Sequence, residues 1–144
     1  MTNAINSSTM SARDNSSALD GLAQYAHWAP RIALASVFLY HGLTKFPNLS
    51  GMAGAMGLPV AVLTLVALAE TAGGALILIG AFTKGIVTRI GGLLLIPPML
   101  GAIGMVHWGR WSFTPAEGFP MGGMEFQVTL LLLAVYFILR GNKA

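Results

Sequence analysis

The apolar run VLTLVALAETAGGALILIGAF, Val62 to Phe82, constrains the fold of this chain more than any other feature. Its apolar residues come as a block rather than with a period of 3.6 or 2 residues, which is typical of a segment surrounded by lipid. Glu70 is the one ionisable residue in the run. Only 9% of all residues are charged, against roughly a quarter in a soluble domain. The sequence therefore predicts an all-α integral membrane protein of one domain.

Several apolar blocks are long enough to cross a bilayer. At about 1.5 Å per residue, each covers roughly 25 to 35 Å. The prediction is a polytopic protein with a four-transmembrane-helix bundle, whose spans lie at about 30–46, 59–82, 85–106 and 123–139.

Shorter segments flank the predicted transmembrane domain, residues 30–140. Residues 1–18 are rich in Ser, Asn and Thr and predict a flexible polar tail. Residues 19–29 have apolar side chains at roughly helical spacing, with Trp28 suited to headgroup depth, and predict a short interfacial helix. Residues 141–144 form a short C-terminal tail.

Lys and Arg residues are unevenly distributed between the two ends of the predicted spans. One side carries Arg13, Arg31, Lys84, Arg89, Arg140 and Lys143, and the other carries Lys45 and Arg110. The positive-inside rule then predicts that both termini are cytoplasmic. The predicted topology anchors are Arg31, Lys84, Arg89 and Arg140. Because the basic residues lie at segment ends and form no stripe, the net charge of +3 does not indicate a nucleic-acid partner.

Glu70 lies near the middle of a predicted span, where an unpaired carboxylate costs roughly several kcal/mol. Small residues beside it would let another helix approach closely, and Ala69, Gly73 and Gly74 are the predicted packing residues. Glu70 is therefore expected to face the bundle interior. Three roles stay open for it: a buried hydrogen bond between helices, ligand or proton handling, and contact with another subunit.

Other polar residues lie toward the outer ends of the spans. His41 and Lys45 are one helical turn apart on the first span, and His107 and Glu125 flank the longest loop. Together with Glu70, they predict an intramembrane polar site for a small polar ligand or a quinone headgroup. The alternatives are a structural role for His41 and a Lys45 that reaches the interface.

Metal and thiol chemistry are not indicated by the residue pattern. No HxxxH or ExxH spacing predicts a metal site, and bis-histidine haem on His41 and His107 is a minor alternative. The chain has no cysteine, so redox chemistry would need a bound cofactor or a partner's thiols. The pattern identifies no catalytic residue.

Three stretches together resemble the DoxX family of small four-helix bacterial membrane proteins. They are RIALASVFLYHGLTKF at 31–46, GLP at 57–59 and ALAETAGGALILIGAFTK at 67–84, followed by Arg89, His107 and Glu125. The resemblance covers roughly residues 28–140. By position, it assigns the family's motif residues to Arg31, His41, Gly42, Lys45, Glu70, Gly73, Gly74, Arg89 and Glu125.

The resemblance implies a bacterial inner (plasma) membrane location and an association with oxidoreductase systems. Some relatives are subunits of thiosulfate:quinone oxidoreductase, and others are associated with thiol and superoxide defence. The expected function is that of a membrane subunit that supports a redox or quinone-linked system, at most as an accessory subunit of an oxidoreductase. The expected partners are lipid and other membrane subunits, and the candidate cofactor is a quinone. The alternative is a non-catalytic structural or assembly subunit of a larger respiratory or photosynthetic complex. A small transporter is less favoured, since four helices enclose little room.

Overall fold

The structure is a computed structural model that describes residues 20–143. Within this range the chain folds into helices joined by turns and loops, and it contains no β-strand apart from an isolated bridge between Ala116 and Phe119. The all-α prediction is therefore confirmed. The predicted polar tail, residues 1–18, lies outside the described residues.

Four long α-helices and one short helix follow one another along residues 20–143. They are α1 at Trp28–Leu43, α2 at Leu49–Met56, α3 at Val60–Ile79, α4 at Gly85–Ala102 and α5 at Glu125–Arg140. A 3-10 turn at Phe46–Asn48 precedes α2, and another at Gly80–Phe82 extends α3. A π-helical turn at Ile103–His107 extends α4.

Two helices of the described chain are long and apolar enough to cross a membrane. They are α3 with its 3-10 turn, Val60–Phe82, and α4 with its π-helical turn, Gly85–His107. The helices α1 and α5 have 16 residues each. At about 1.5 Å per residue, such a helix is shorter than the roughly 30 Å of hydrocarbon in a bilayer. Four spans therefore stay a prediction.

The segment before α1 is helical only in part. Residues 20–23 form one helical turn, residues 24–27 form further turns, and residues 20–26 are exposed. Trp28 then begins α1, two residues before Pro30, which suits the first turn of a helix because its missing N–H has no helical partner there. The interfacial position predicted for residues 19–29 remains a prediction.

The connection between α1 and α3 is the short helix α2, and local side chains explain both of its ends. The Asn48 side chain caps its first turn by accepting a hydrogen bond from the Gly51 N–H, at 3.2 Å. Gly57 ends it in the left-handed region, with φ at 65°, where a residue without Cβ is not strained. Pro59 then precedes α3. This glycine- and methionine-rich segment therefore folds as a helix with defined caps.

Small residues on α3 allow close packing on two sides. The helix packs against α1 on one side and α4 on the other, and α4 also packs against α5. A Cβ at Gly73 would overlap the Leu95 side chain of α4, and one at Gly74 would come within 3.3 Å of the Ala35 carbonyl of α1. Contact between α1 and α5 is limited. The four long helices therefore pack tightly in sequence order and leave a gap between the first and the last.

A buried arginine closes one end of this arrangement. Arg31 of α1 is 1% exposed and donates hydrogen bonds to the Ile77 carbonyl at 2.5 Å, to Thr88 Oγ1 at 3.1 Å and to Asn142 Oδ1 at 3.0 Å. Its guanidinium also lies over the Phe137 ring, 5.0 Å from the centroid. Because these partners belong to α3, α4, α5 and the residues after α5, Arg31 connects all four long helices. The structure places this predicted anchor inside the bundle.

The other predicted anchors lie at the same end of the bundle. Lys84 and Arg140 are exposed, and Arg140 donates to the Lys143 carbonyl. Arg89 is partly buried and donates from Nη1 to the Ile138 carbonyl of α5. Basic side chains are thus concentrated at the end where Arg31 is buried, and the candidate site lies toward the opposite end.

Candidate functional site

Glu70 and Lys45 form a salt bridge that joins α3 to the end of α1. Lys45 Nζ lies 2.5 Å from Glu70 Oε2 and 2.9 Å from the His41 carbonyl oxygen. The two side chains are 12% and 7% exposed, and this is the one salt bridge within residues 20–143. Glu70 is buried because it lies one turn before Gly73 and Gly74, on the packed face of α3. The ammonium group compensates the cost of placing a carboxylate there.

His41 contributes to this pair through its backbone. Its carbonyl accepts a hydrogen bond from Lys45, one turn along the chain, while its imidazole is exposed and meets the Tyr40 ring edge-on at 5.5 Å. The spacing of His41 and Lys45 on one helical face therefore brings together the Lys45 ammonium and the His41 carbonyl. The imidazole lies on the wall of the cavity described below.

His107 forms a second polar group with Gln127. It is 7% exposed at the end of the π-helical turn, with Nδ1 3.0 Å from the Gly122 carbonyl oxygen and Nε2 2.9 Å from Gln127 Nε2. A carbonyl oxygen only accepts, so Nδ1 carries the proton. In the neutral ring Nε2 is then an acceptor for the Gln127 amide N–H. The tautomer of His107 is thus assigned by its two partners.

A cavity of about 900 Å³ lies between the helices and is partly open to the outside. Its wall is formed mainly by apolar side chains from all five helices. The polar and charged residues among them are His41, Lys45, Glu70, His107 and Gln127. A mainly apolar cavity with a few polar groups, at roughly 300–1,000 Å³, is typical of a site for a small ligand or cofactor.

Two prolines lie in the part of α4 that lines the cavity. Pro97 and Pro98 lie inside the helix and both line the cavity. Since proline has no N–H, the carbonyls of Leu93 and Leu94 receive no helical hydrogen bond from them. Leu94 also lines the cavity.

Glu125 lies apart from the cavity. It is the first residue of α5, and its Oε2 accepts a hydrogen bond from the Phe113 N–H at 3.2 Å, while its own N–H donates to the Trp111 carbonyl at 2.9 Å. These contacts hold the loop that follows α4 against the start of α5. Glu125 does not line the cavity, whereas His41, Lys45, Glu70 and His107 do.

Gln127 is the site residue that sequence reasoning missed. It lies two positions after Glu125 in a helix that otherwise reads as apolar, and a neutral amide attracts less attention than a charge. A polar residue inside an apolar span is nevertheless a functional signal, because it needs a hydrogen-bond partner there. That signal could have identified Gln127.

The predicted packing residues divide between the helix contacts and the cavity. Gly73 and Gly74 lie in the contacts of α3 with α4 and α1, while Ala69 is partly buried and lines the cavity.

Within residues 20–143, no three His, Asp or Glu residues lie close enough together to hold a metal ion. The polar groups of the cavity are hydrogen-bond donors and acceptors.

Comparison with known proteins identifies the family. The DoxX family model matches residues 27–108, which contain α1 to α4 and with them His41, Lys45, Glu70 and His107. A protein of Bacillus subtilis (strain 168) named "Putative oxidoreductase CatD" is 32% identical over 116 residues, which cover 78% of this chain and 77% of that protein. No solved structure matches the chain. The chain therefore belongs to the DoxX family.

Proposed function

We propose that this DoxX-family membrane protein binds a quinone-type ligand in the cavity between its helices and serves a membrane redox system as a subunit. The single observation that carries the proposal is the cavity of about 900 Å³, mainly apolar, whose wall holds the Lys45–Glu70 pair and the His107–Gln127 pair. A quinone combines an apolar ring and tail with two polar oxygens. Its chemistry therefore matches both parts of the wall.

Lys45 is the donor best suited to a ligand oxygen. An ammonium group has three N–H donors. Glu70 Oε2 and the His41 carbonyl accept two of them, and no side chain or carbonyl in residues 20–143 accepts the third. Since Lys45 lines the cavity, the third donor suits a quinone carbonyl. Glu70 holds the ammonium in place and supplies a carboxylate beside the same oxygen.

The role of this chain is to bind and orient the ligand. The chain contains no cysteine, so a thiol step would take place on a partner. The name of the Bacillus subtilis relative, "Putative oxidoreductase CatD", supports a redox context. We therefore assign the electron donor to another subunit and ligand binding to this one.

The proposed orientation places the cavity toward the outside of the inner membrane. Basic side chains at the Arg31 end support a cytoplasmic position for that end and for both termini. Large apolar side chains are exposed on the long helices, for example Ile32 at 57%, Leu65 at 67% and Leu132 at 62%, which suits contact with lipid. Local thinning of the bilayer would accommodate the short helices α1 and α5 as the other two spans.

One observation favours the alternative of a structural or assembly subunit. The loop after α4 exposes Trp108, Trp111 and Phe113, at 57 to 69%. Aromatic side chains are enriched at protein interfaces and also at headgroup depth. Under this alternative the loop contacts another membrane subunit, and the cavity has no ligand of its own.

Quinone binding to the purified protein separates these proposals. The protein is reconstituted in nanodiscs, and binding of 2,3-dimethyl-1,4-naphthoquinone is measured by calorimetry. Ala69→Phe places a phenyl group on the cavity wall, and we expect it to weaken binding at least about tenfold, or 1.4 kcal/mol. The matched control is Ala61→Phe, on the exposed face of the same helix, which should leave the affinity unchanged.

Two outcomes of the binding measurement would contradict a quinone site in the cavity. If the wild-type protein binds no quinone, or if Ala69→Phe and Ala61→Phe bind it as well as the wild type does, the cavity is not a quinone site. Co-purification of a stoichiometric membrane subunit with such a protein would then support the structural alternative.

A further inference from the structure

Gln127 holds a buried acceptor that has no partner within residues 20–143. Its Oε1 atom is inaccessible to solvent, and no donor in residues 20–143 bonds to it. Burying an amide oxygen without a donor is unfavourable, and such atoms in folded proteins are few. Gln127 also forms part of the cavity wall. A ligand hydroxyl that reaches this oxygen from the cavity would supply the missing donor.

The orientation of the Gln127 amide is fixed by His107. The Gly122 carbonyl requires a proton on His107 Nδ1, at 3.0 Å, which leaves Nε2 of the neutral ring as an acceptor. Gln127 Nε2 donates to that nitrogen at 2.9 Å. Turning the amide over would place Oε1 against a second acceptor. Oε1 is therefore the group that remains for a ligand, and the broad profile of the terminal amide torsion lets it adjust to a donor.

Lys45 and Gln127 differ in what they can distinguish. A Lys45 N–H can donate to a quinone carbonyl or to the oxygen of a quinol hydroxyl, so it accepts both forms. The Gln127 oxygen can accept from a quinol hydroxyl, whereas a quinone offers it only another acceptor. With a quinone the buried amide oxygen would remain without a donor, whereas a quinol would give it a hydrogen bond.

We infer that Gln127, held by His107, is a specificity-determining residue that selects the hydroxyl-bearing quinol over the quinone in this cavity. The inference rests on the proposed function. His107 acts here as a positioning residue, because it fixes which end of the Gln127 amide faces the ligand. The Glu70 carboxylate is a second acceptor in the cavity, so the experiment must separate its contribution from that of Gln127.

The experiment compares three probes on the full-length protein in nanodiscs under anaerobic conditions: 2,3-dimethyl-1,4-naphthoquinone, its quinol, and the dimethyl ether of the quinol. The ether keeps the oxygens but has no O–H donor. We expect the wild-type protein to bind the quinol about tenfold more tightly than the other two probes, the effect of one buried hydrogen bond. This comparison changes only the ligand and needs no variant to fold.

Variants of Gln127 then locate the preference. Gln127→Leu, or Gln127→Met at equal length, removes the acceptor and is expected to weaken quinol binding about tenfold while leaving quinone binding within about twofold. Thr129→Val is the matched control, because Thr129 is an exposed residue of the same helix that does not line the cavity. It should leave both affinities unchanged. A purely structural role for Gln127 would change both affinities together.

Three results would overturn the inference. Equal affinity of the wild-type protein for quinol and quinone would overturn it. An equal loss of quinol and quinone affinity in the Gln127 variants would also overturn it. In either case, quinone binding by the wild-type protein would still support the proposed function. Loss of the preference in Glu70→Gln, with Gln127→Leu unchanged, would assign the selection to Glu70. Failure of all three probes to bind the wild-type protein would overturn both the inference and the proposed function.

Discussion

Replacing Arg31 with methionine is expected to destabilise the folded protein by about 3–5 kcal/mol, since several charge-assisted hydrogen bonds are lost together. The substitution leaves the Ile77 carbonyl and Thr88 Oγ1 with one donor fewer at a buried position, and Asn142 Oδ1 with one donor fewer at a partly buried position. It also removes the cation above the Phe137 ring. Methionine fills much of the same aliphatic volume, so the loss reports the hydrogen bonds more than a cavity.

Reversible unfolding in mixed micelles, followed by circular dichroism, measures this effect. Arg140→Met is the matched control, because Arg140 is an exposed residue near the same end and, among residues 20–143, its side chain bonds only to the Lys143 carbonyl. We expect its free energy of unfolding to stay within about 0.5 kcal/mol of wild type. Equal stability of Arg31→Met and Arg140→Met would show that Arg31 does not connect the helices.

Replacing Lys45 with methionine is expected to cost about 3–5 kcal/mol, because it leaves the buried Glu70 carboxylate without its cation. Both side chains of the pair are mostly buried, so solvent screens their interaction little. The double variant Lys45→Met/Glu70→Leu removes the charge as well as the partner. It should recover most of the lost stability, since apolar residues of similar size often replace a buried ion pair without loss.

A double-mutant cycle on unfolding free energies measures the coupling of Lys45 and Glu70. We expect an interaction of at least about 2 kcal/mol, because the double variant should recover most of the loss caused by Lys45→Met alone. The double variant should also lose quinone binding although it folds, because the cavity then has no ammonium donor. Additive effects of the two single substitutions would contradict the pairing, and unchanged quinone binding by the double variant would contradict the role of Lys45.

The surroundings of Glu70 could be derived from the sequence to a large extent. An acid in an apolar run needs a cation or a polar partner, and small residues one turn away indicate which face of the helix is packed. Few cations exist in this chain, and Lys45 is one turn from a histidine at the end of the preceding span. The structure places Lys45 against Glu70. Scarcity of charge is thus what makes the pairing accessible to sequence reasoning.

The role of Arg31 was not accessible in this way. At the start of a span, an arginine reads as an anchor in the headgroup region. Its partners in the structure include a backbone carbonyl of α3 and Asn142, which follows α5. Backbone acceptors have no sequence signal, and contacts between distant segments depend on the packing of the whole bundle. An arginine that connects several helices inside the bundle and an arginine that anchors a span at the membrane surface therefore look alike in the sequence.

Glu125 and Gln127 show the same limit within one helical turn. Both are polar residues at the start of the predicted fourth span, and charge alone favoured Glu125. The loop after α4 offers the Phe113 N–H to Glu125, while His107 meets Gln127. Which of the two residues faces the cavity depends on where α5 begins and on how the loop returns to it. Neither can be read from apolar periodicity.

Photolabelling with an azido-substituted naphthoquinone tests the central claim, ligand binding in the cavity, most directly. After illumination in nanodiscs, mass spectrometry should locate the label on cavity residues such as Val66, Met99 and Leu130. Excess unlabelled quinone and Ala69→Phe should each abolish it. Label confined to exposed residues outside the cavity, such as Ile32, Leu132 and Leu139, and insensitive to excess quinone, would contradict the claim.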